Sequence, residues 1–237
     1  HEQAHVYDAC IIFDADNLAD AGFLAAMNRQ VNAGHPIAVG YRLGKNPSSS
    51  WVAGCSSLFW LIQTRALYIT RARMHLPCCS VGGTGFMFCL SVLGQNGWNT
   101  RSICEDIEFT LNSIAAGYHV SFAGDAIFYD EQPLSLEQSI RQRYRWSLGS
   151  IQVISICTPK LFRSMIQGNL RQFDAFLYSL GTAVMGISGI SWLLLLVMSV
   201  VATGDWLGLA KTVMIATLSG LVITAAFVCL VLVLERK

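Results

Sequence analysis

Ile11-Ile12-Phe13-Asp14-Ala15-Asp16-Asn17 is the stretch on which the reading of this chain turns. Three apolar residues, two of them β-branched, predict the end of a buried strand. Two carboxylates one residue apart follow it. On extended backbone, positions i and i+2 face the same way, so Asp14 and Asp16 would present oxygens to one point. Two acids at a strand end suit a hard divalent cation, Mg²⁺ or Mn²⁺, able in turn to hold a diphosphate. The alternative is an ordinary turn, since Asp and Asn are both good turn formers.

Outward from that strand the pattern alternates. Asn17 to Gly34 carries helical spacing (Leu18, Phe23, Leu24, Met27, Val31) and ends on a capping glycine. Ile37–Tyr41 predicts a strand, Gly44–Ser50 a polar loop, and Trp51–Arg73 a long helix. His1–Tyr7 reads as a helix end leading into the first strand. Short apolar strands alternating with helices predict an α/β sandwich, with ligands outside the carboxyl ends of the strands.

The composition divides the chain. Only 13 % of its 237 residues are charged, about half the usual share of roughly a quarter. Residues 1–149 resemble an ordinary globular chain, whereas the rest is dominated by apolar runs. The net charge of +1 says nothing about nucleic acid, but no basic cluster interleaved with aromatics resembles an RNA-binding surface, so no nucleic-acid partner is expected. Eight cysteines without a Cys-x-x-Cys pair argue against a zinc site and fit a reducing compartment.

Three further motifs carry chemistry. Ser80-Val81-Gly82-Gly83-Thr84-Gly85 is a glycine loop whose backbone can approach a ligand, although it lacks the residues of a Walker A or dinucleotide turn. Cys104-Glu105-Asp106-Ile107-Glu108 opens a helix through Ala116. Acids there complement the macrodipole, and one of them is a candidate general base. Val120–Phe122 and Ala126–Tyr129 predict two short strands around Gly124-Asp125, followed by an Asp130–Pro133 loop. On the next helix Gln142, Arg145 and Trp146 share a face suited to a diphosphate and a sugar ring. The flanking arginines also suit a membrane-facing helix.

Taken together, the Asp-x-Asp, the Gly-Gly-Thr-Gly loop, the Glu-Asp at a helix start and the Gln-x-x-Arg-Trp, with apolar helices behind them, resemble the membrane-integrated family 2 glycosyltransferases. These are the synthases of cellulose, hyaluronan and poly-N-acetylglucosamine type. The resemblance covers essentially the whole chain. It implies a GT-A-type α/β domain that takes a UDP-sugar and transfers the sugar with inversion to a polysaccharide or lipid-linked acceptor. It also implies Asp14 and Asp16 as the metal and diphosphate motif. Asp106, beside Glu105, matches the base of the family's Thr-Glu-Asp motif; Cys104 stands where Thr is common. Gln142, Arg145 and Trp146 match the motif near the diphosphate and acceptor, and Gly83, Thr84 and Gly85 the loop beside the acceptor sugar. On the same analogy the chain reads as a fragment, with the family's first nucleotide-binding strand placed before His1, and an accessory export subunit is a further expected partner.

Behind the catalytic part (1–149), residues 150–172 predict an amphipathic interfacial segment, broken into two short helices at Pro159. Residues 173–237 predict two membrane spans, about 175–203 and 212–234, each exceeding the roughly 20 residues a bilayer requires. Basic residues flank the outer ends of both, which predicts a multi-pass protein of the cell membrane with its catalytic domain and Lys237 in the cytoplasm. Two competing readings are a haloacid-dehalogenase-like phosphatase, although Leu18 replaces the Thr or Val expected after its second Asp, and a non-catalytic membrane scaffold.

Overall fold

The computed structural model describes residues 7–167 and 172–235. The predicted His1–Tyr7 helix end and the basic residues Arg171, Arg236 and Lys237 therefore fall wholly or almost wholly outside the described residues. Two compact units divide the chain, His1–Leu180 and Gly181–Lys237.

The first unit is a mixed α/β layer built on a five-stranded sheet. Its strands are β1 (Ala9–Ile12), β2 (Leu18–Ala19), β3 (Ile37–Gly44), β4 (Phe86–Cys89) and β5 (Val120–Asp130), in the spatial order β1-β4-β3-β5-β2. β3 and β5 run parallel, while the β1–β4, β4–β3 and β5–β2 pairs are antiparallel. The sheet is therefore mixed, unlike the parallel sheets of doubly wound folds. Side chains alternate across it. Ile37, Val39, Phe86, Phe88 and Val120 enter one core with Leu111 and Ile114 of the helix α4 (Glu105–Ala115). Ala38, Met87, Ala123 and Phe128 enter the other, against Phe23, Ala26 and Met27 of α1 (Phe23–Asn32). The two-residue period of strands and the apolar stripe of each helix produce this arrangement.

Three local expectations are corrected. The helix predicted from Asn17 starts only at Phe23, because Leu18 and Ala19 pair with Tyr129 and Phe128 on the outer edge of β5. Asp20 Oδ1 then accepts from the Gly22 N–H at 2.9 Å and shapes the helix entry. The two strands expected around Gly124-Asp125 are one 11-residue strand. Gly40 pairs with Ala123 and Tyr41 with Ile127, so Gly124 to Ala126 bulge out of the ladder. Pro159 does not end a helix: α5 runs unbroken over Leu136–Ile166. Its Ser135–Gln138 capping box fixes the start, and Val153, Cys157 and Leu161 are buried at four-residue intervals. That burial outweighs the about 3 kcal/mol typical of an interior proline.

The long helix predicted from Trp51 forms as α2 (Trp51–Gln63), a π-helical turn (Thr64–Ile69) and α3 (Thr70–Arg73). Its N-terminus is capped by Ser50, whose Oγ accepts from the Ala53 N–H at 3.1 Å. α6 spans Phe173–Thr203 and α7 Trp206–Glu235. Among the described residues, α7 is the one helix long and apolar enough to cross a membrane, with a mean hydropathy of 2.6 in its most apolar window. In α6 the comparable apolar stretch is the shorter Ile187–Thr203.

Candidate active site

The carboxyl end of β1 leads into the acid pair. Phe13 packs among Phe23 and Phe128, and the chain then turns: the Asn17 N–H donates to the Asp14 carbonyl at 3.2 Å. Asp14 and Asp16 therefore sit on a turn and not on extended backbone, so the i, i+2 argument does not describe how they meet. A third acid, which the sequence reading left in a loop, joins them. Asp130 ends β5, and carboxylate oxygens of Asp14, Asp16 and Asp130 all lie within 4.8 Å of one another. The β2–β5 pairing brings the two segments together.

Asn17 and Thr84 hold this cluster. Thr84 Oγ1 accepts from the Asp14 N–H at 2.9 Å. With its amide oxygen facing Thr84 Oγ1 at 2.5 Å, Asn17 donates to Asp130 Oδ1 at 2.8 Å and to Asp16 Oδ1 at 3.2 Å. Gln132 Nε2 donates to Asp130 Oδ2 at 2.9 Å. Burial, reinforced by Asp16, raises the Asp14 pKa, and burial likewise raises that of Asp130. Crowded carboxylates with raised pKa values are groups that gain from a cation, and three oxygen donors so disposed fit Mg²⁺ or Mn²⁺.

The cluster lies on the wall of a cavity of about 410 Å³, lined also by Glu105, Asp106, Gly83, Gln142, Arg145 and Trp146. A cavity of this size is in the range of small-molecule sites. Asp106 is on the first turn of α4, and burial raises its pKa against the opposing hydrogen bond from the Ile107 N–H. Glu108, two residues on in the same first turn and 2 % exposed, behaves oppositely. Burial works against its charge, but the N–H groups of Arg101 and Ser102, at 2.9 and 2.7 Å, prevail and lower its pKa. It therefore ties down the chain entering α4.

From α5, Gln142, Arg145 and Trp146 reach the cavity together, as their spacing predicts. Trp146 stacks near Phe59 at 6.4 Å and meets Trp60 edge-on at 5.7 Å. Arg143 turns away to lie over Phe59 at 5.0 Å. The same helix exposes Ile140, Tyr144 and Ile151. Cys104, at the start of α4, is buried against Gly149, where an added Cβ would lie 2.3 Å from its Sγ. Burial pushes this thiol up to about 11, so it is no nucleophile near neutral pH.

Within the glycine loop the three predicted positions differ. Gly83 lines the cavity. Thr84 is 2 % exposed and serves the acid turn. Gly85 packs under Phe128: a Cβ there would lie 2.2 Å from the ring. Arg42 and Trp60, which the sequence reading did not single out, also line the cavity. Arg42 is 6 % exposed, faces Asp130 at 3.7 Å and stacks over Trp60 at 3.8 Å.

The sequence matches the family described as "Glycosyl transferase family group 2" over residues 10–234. It is also 32 % identical over 85 residues to the "Probable glycosyltransferase YdaM" of Bacillus subtilis (strain 168). That alignment covers 35 % of this chain and 20 % of the relative, so the chain matches about a fifth of the relative's length.

Proposed function

The chain belongs to glycosyl transferase family group 2, and on that footing we propose that it transfers a sugar, with inversion, from a UDP-sugar to a growing polysaccharide or lipid-linked acceptor. The observation that carries this is one cavity bearing a three-carboxylate cluster, the half-buried Asp106 on a helix N-terminus and the Gln142, Arg145 and Trp146 triplet. Asp14, Asp16 and Asp130 would hold Mg²⁺ or Mn²⁺, which supplies Lewis-acid neutralisation of a leaving diphosphate.

The chain's own residues do the rest. Asp106 accepts the proton of the acceptor hydroxyl as that oxygen bonds to the anomeric carbon. The bond from that carbon to the diphosphate oxygen breaks, and UDP leaves with the electron pair. A raised pKa suits a base that must gain a proton in the transition state. Arg145 and Gln142 bind the diphosphate, Trp146 stacks the acceptor sugar, and Glu105 adds negative charge beside the base.

α6 and α7 both cross the cell membrane in this reading, and α5 lies at its inner surface with Ile140, Tyr144 and Ile151 towards lipid. The exposed apolar surface of α7 supports this placement, and the catalytic domain then faces cytoplasmic UDP-sugar. Membership in a glycosyltransferase family favours this over the phosphatase, and the intact set of acids favours it over a scaffold. The test is UDP release by membranes carrying the full-length protein, measured over a panel of UDP-sugars with and without chelator. Turnover with one sugar, lost on chelation and in Asp106→Asn, is the expected result. Phosphatase activity lost in Asp14→Asn would overturn it.

A further inference from the structure

Arg42 is a buried charge of this cavity to which the transfer scheme gives no task. Desolvating a guanidinium is costly unless partners satisfy it. Its partners are the Trp60 ring, the Asp130 carboxylate and the Gly82 carbonyl, to which Nη2 donates. The last contact reaches into the glycine loop.

That loop touches both working parts of the site. The Val81 N–H donates to Thr110 Oγ1 at 3.2 Å, and Thr110 Oγ1 donates to the Asp106 carbonyl at 2.6 Å. An added Cβ on Gly83 would lie 3.7 Å from Asp106 Oδ2, so the loop backbone abuts the base itself. Three residues after Val81, Thr84 holds the acid turn. Between these anchors Gly82 and Gly83 adopt positive φ values of 71° and 79°, and neither has a side chain with which to hold its place. Arg42 Nη2 and the Tyr68 hydroxyl, from the π-helical turn, each lie 3.3 Å from where a Gly82 Cβ would be. The loop's midpoint is thus set by β3 and by an irregular turn of the kind that often marks a functional site.

We propose that Arg42 is a positioning residue of the transfer reaction: stacked on Trp60, it holds the Gly82 carbonyl and so fixes the loop that sets Asp106 relative to the carboxylate cluster. This rests on the proposed glycosyl transfer. A planar guanidinium both stacks and donates in the plane, which an ammonium does not reproduce. Charge alone therefore does not rescue the site.

The test compares Arg42→Lys with wild type in the purified full-length protein. The first readout, hydrogen–deuterium exchange of the 80–84 backbone, needs no activity. The second is steady-state transfer with Mn²⁺. Faster exchange in the loop, with kcat lower by about tenfold or more and donor KM and Mn²⁺ requirement within about threefold, is the expected outcome. Unchanged exchange, or a loss expressed only as a higher donor KM or Mn²⁺ requirement, overturns the proposal. Trp60→Leu, which unstacks the guanidinium but leaves it present, must also loosen the loop; its failure to do so overturns the proposal even if Arg42→Lys folds poorly. A wild-type protein with no transferase activity refutes the reaction, while the exchange data still decide whether Arg42 holds the loop.

Discussion

Two glycines two residues apart in one loop should differ sharply in what a methyl group does to them. Gly83 and Gly85 both adopt positive φ, 79° and 64°, so alanine at either is disfavoured by about 1–2 kcal/mol of backbone strain. At Gly83 the new Cβ meets Asp106 Oδ2 at 3.7 Å, ordinary contact, and the cost ends there. At Gly85 it would lie 2.2, 2.3 and 2.5 Å from three atoms of the Phe128 ring. Phe128 is 1 % exposed and packed with Phe13 and Phe23, so it cannot swing away. Overpacking of this kind adds about 1–3 kcal/mol. The total for Gly85→Ala is therefore about 2–5 kcal/mol, against about 1–2 for Gly83→Ala. Thermal unfolding in detergent measures the contrast, since each kcal/mol moves Tm by about 2–4 °C in a domain of 150–250 residues. Gly85→Ala should lower Tm by about 4–20 °C and Gly83→Ala by about 2–8 °C, with the Gly85 variant always the less stable of the two. Equal shifts for the two variants would refute the close-contact argument.

Further consequences follow from Asp106, Glu108 and Pro159. Asp106→Asn should abolish transfer yet stabilise the fold. A carboxylate whose folded pKa is raised contributes stability below its unfolded value, 3.8, and loses it as pH rises through the folded pKa. Melting at neutral pH should therefore occur a few degrees higher in that variant, and a lower Tm would count against it. Glu108 has the opposite sign. Its folded pKa lies below the unfolded value of 4.5, so its contribution is present above that value and disappears as pH falls through the folded pKa. Glu108→Gln should cost about 1–3 kcal/mol at pH 7, with the gap in Tm to wild type closing on acidification below 4.5. Pro159→Ala should raise Tm, because an exposed proline inside α5 leaves up to about 3 kcal/mol to recover; an unchanged or lower Tm would show that the helix depends on it.

Local motifs were legible in the sequence where their geometry is itself local. Gln142, Arg145 and Trp146 converge because a helix places positions three and four apart on one face, and Asp106 sits on the first turn that its flanking acids predict. Asp130 was not legible as a site residue. Its place in the cluster depends on Leu18 and Ala19 pairing with Tyr129 and Phe128, a register between segments more than a hundred residues apart. Arg42 was hidden for a similar reason: it follows the apolar start of β3 and becomes a cavity residue only where Trp60 and Gly82 meet it. The start of α1 and the continuity of α5 through Pro159 were misread because tertiary pairing and core packing overrode local preference. The long apolar character of α7 needed no tertiary information.

Metal and donor binding can be separated from proton transfer in one measurement. Mn²⁺ binding, followed by electron paramagnetic resonance, and UDP-sugar binding are measured in full-length Asp106→Asn and Asp130→Asn proteins, alongside transfer. Asp106→Asn should bind both ligands as wild type does while transferring at least about a hundredfold more slowly, and Asp130→Asn should bind Mn²⁺ more weakly. An Asp106→Asn protein that transfers at the wild-type rate would show that Asp106 is not the base, and an Asp130→Asn protein with undiminished Mn²⁺ affinity that the three-carboxylate cluster is not the metal site.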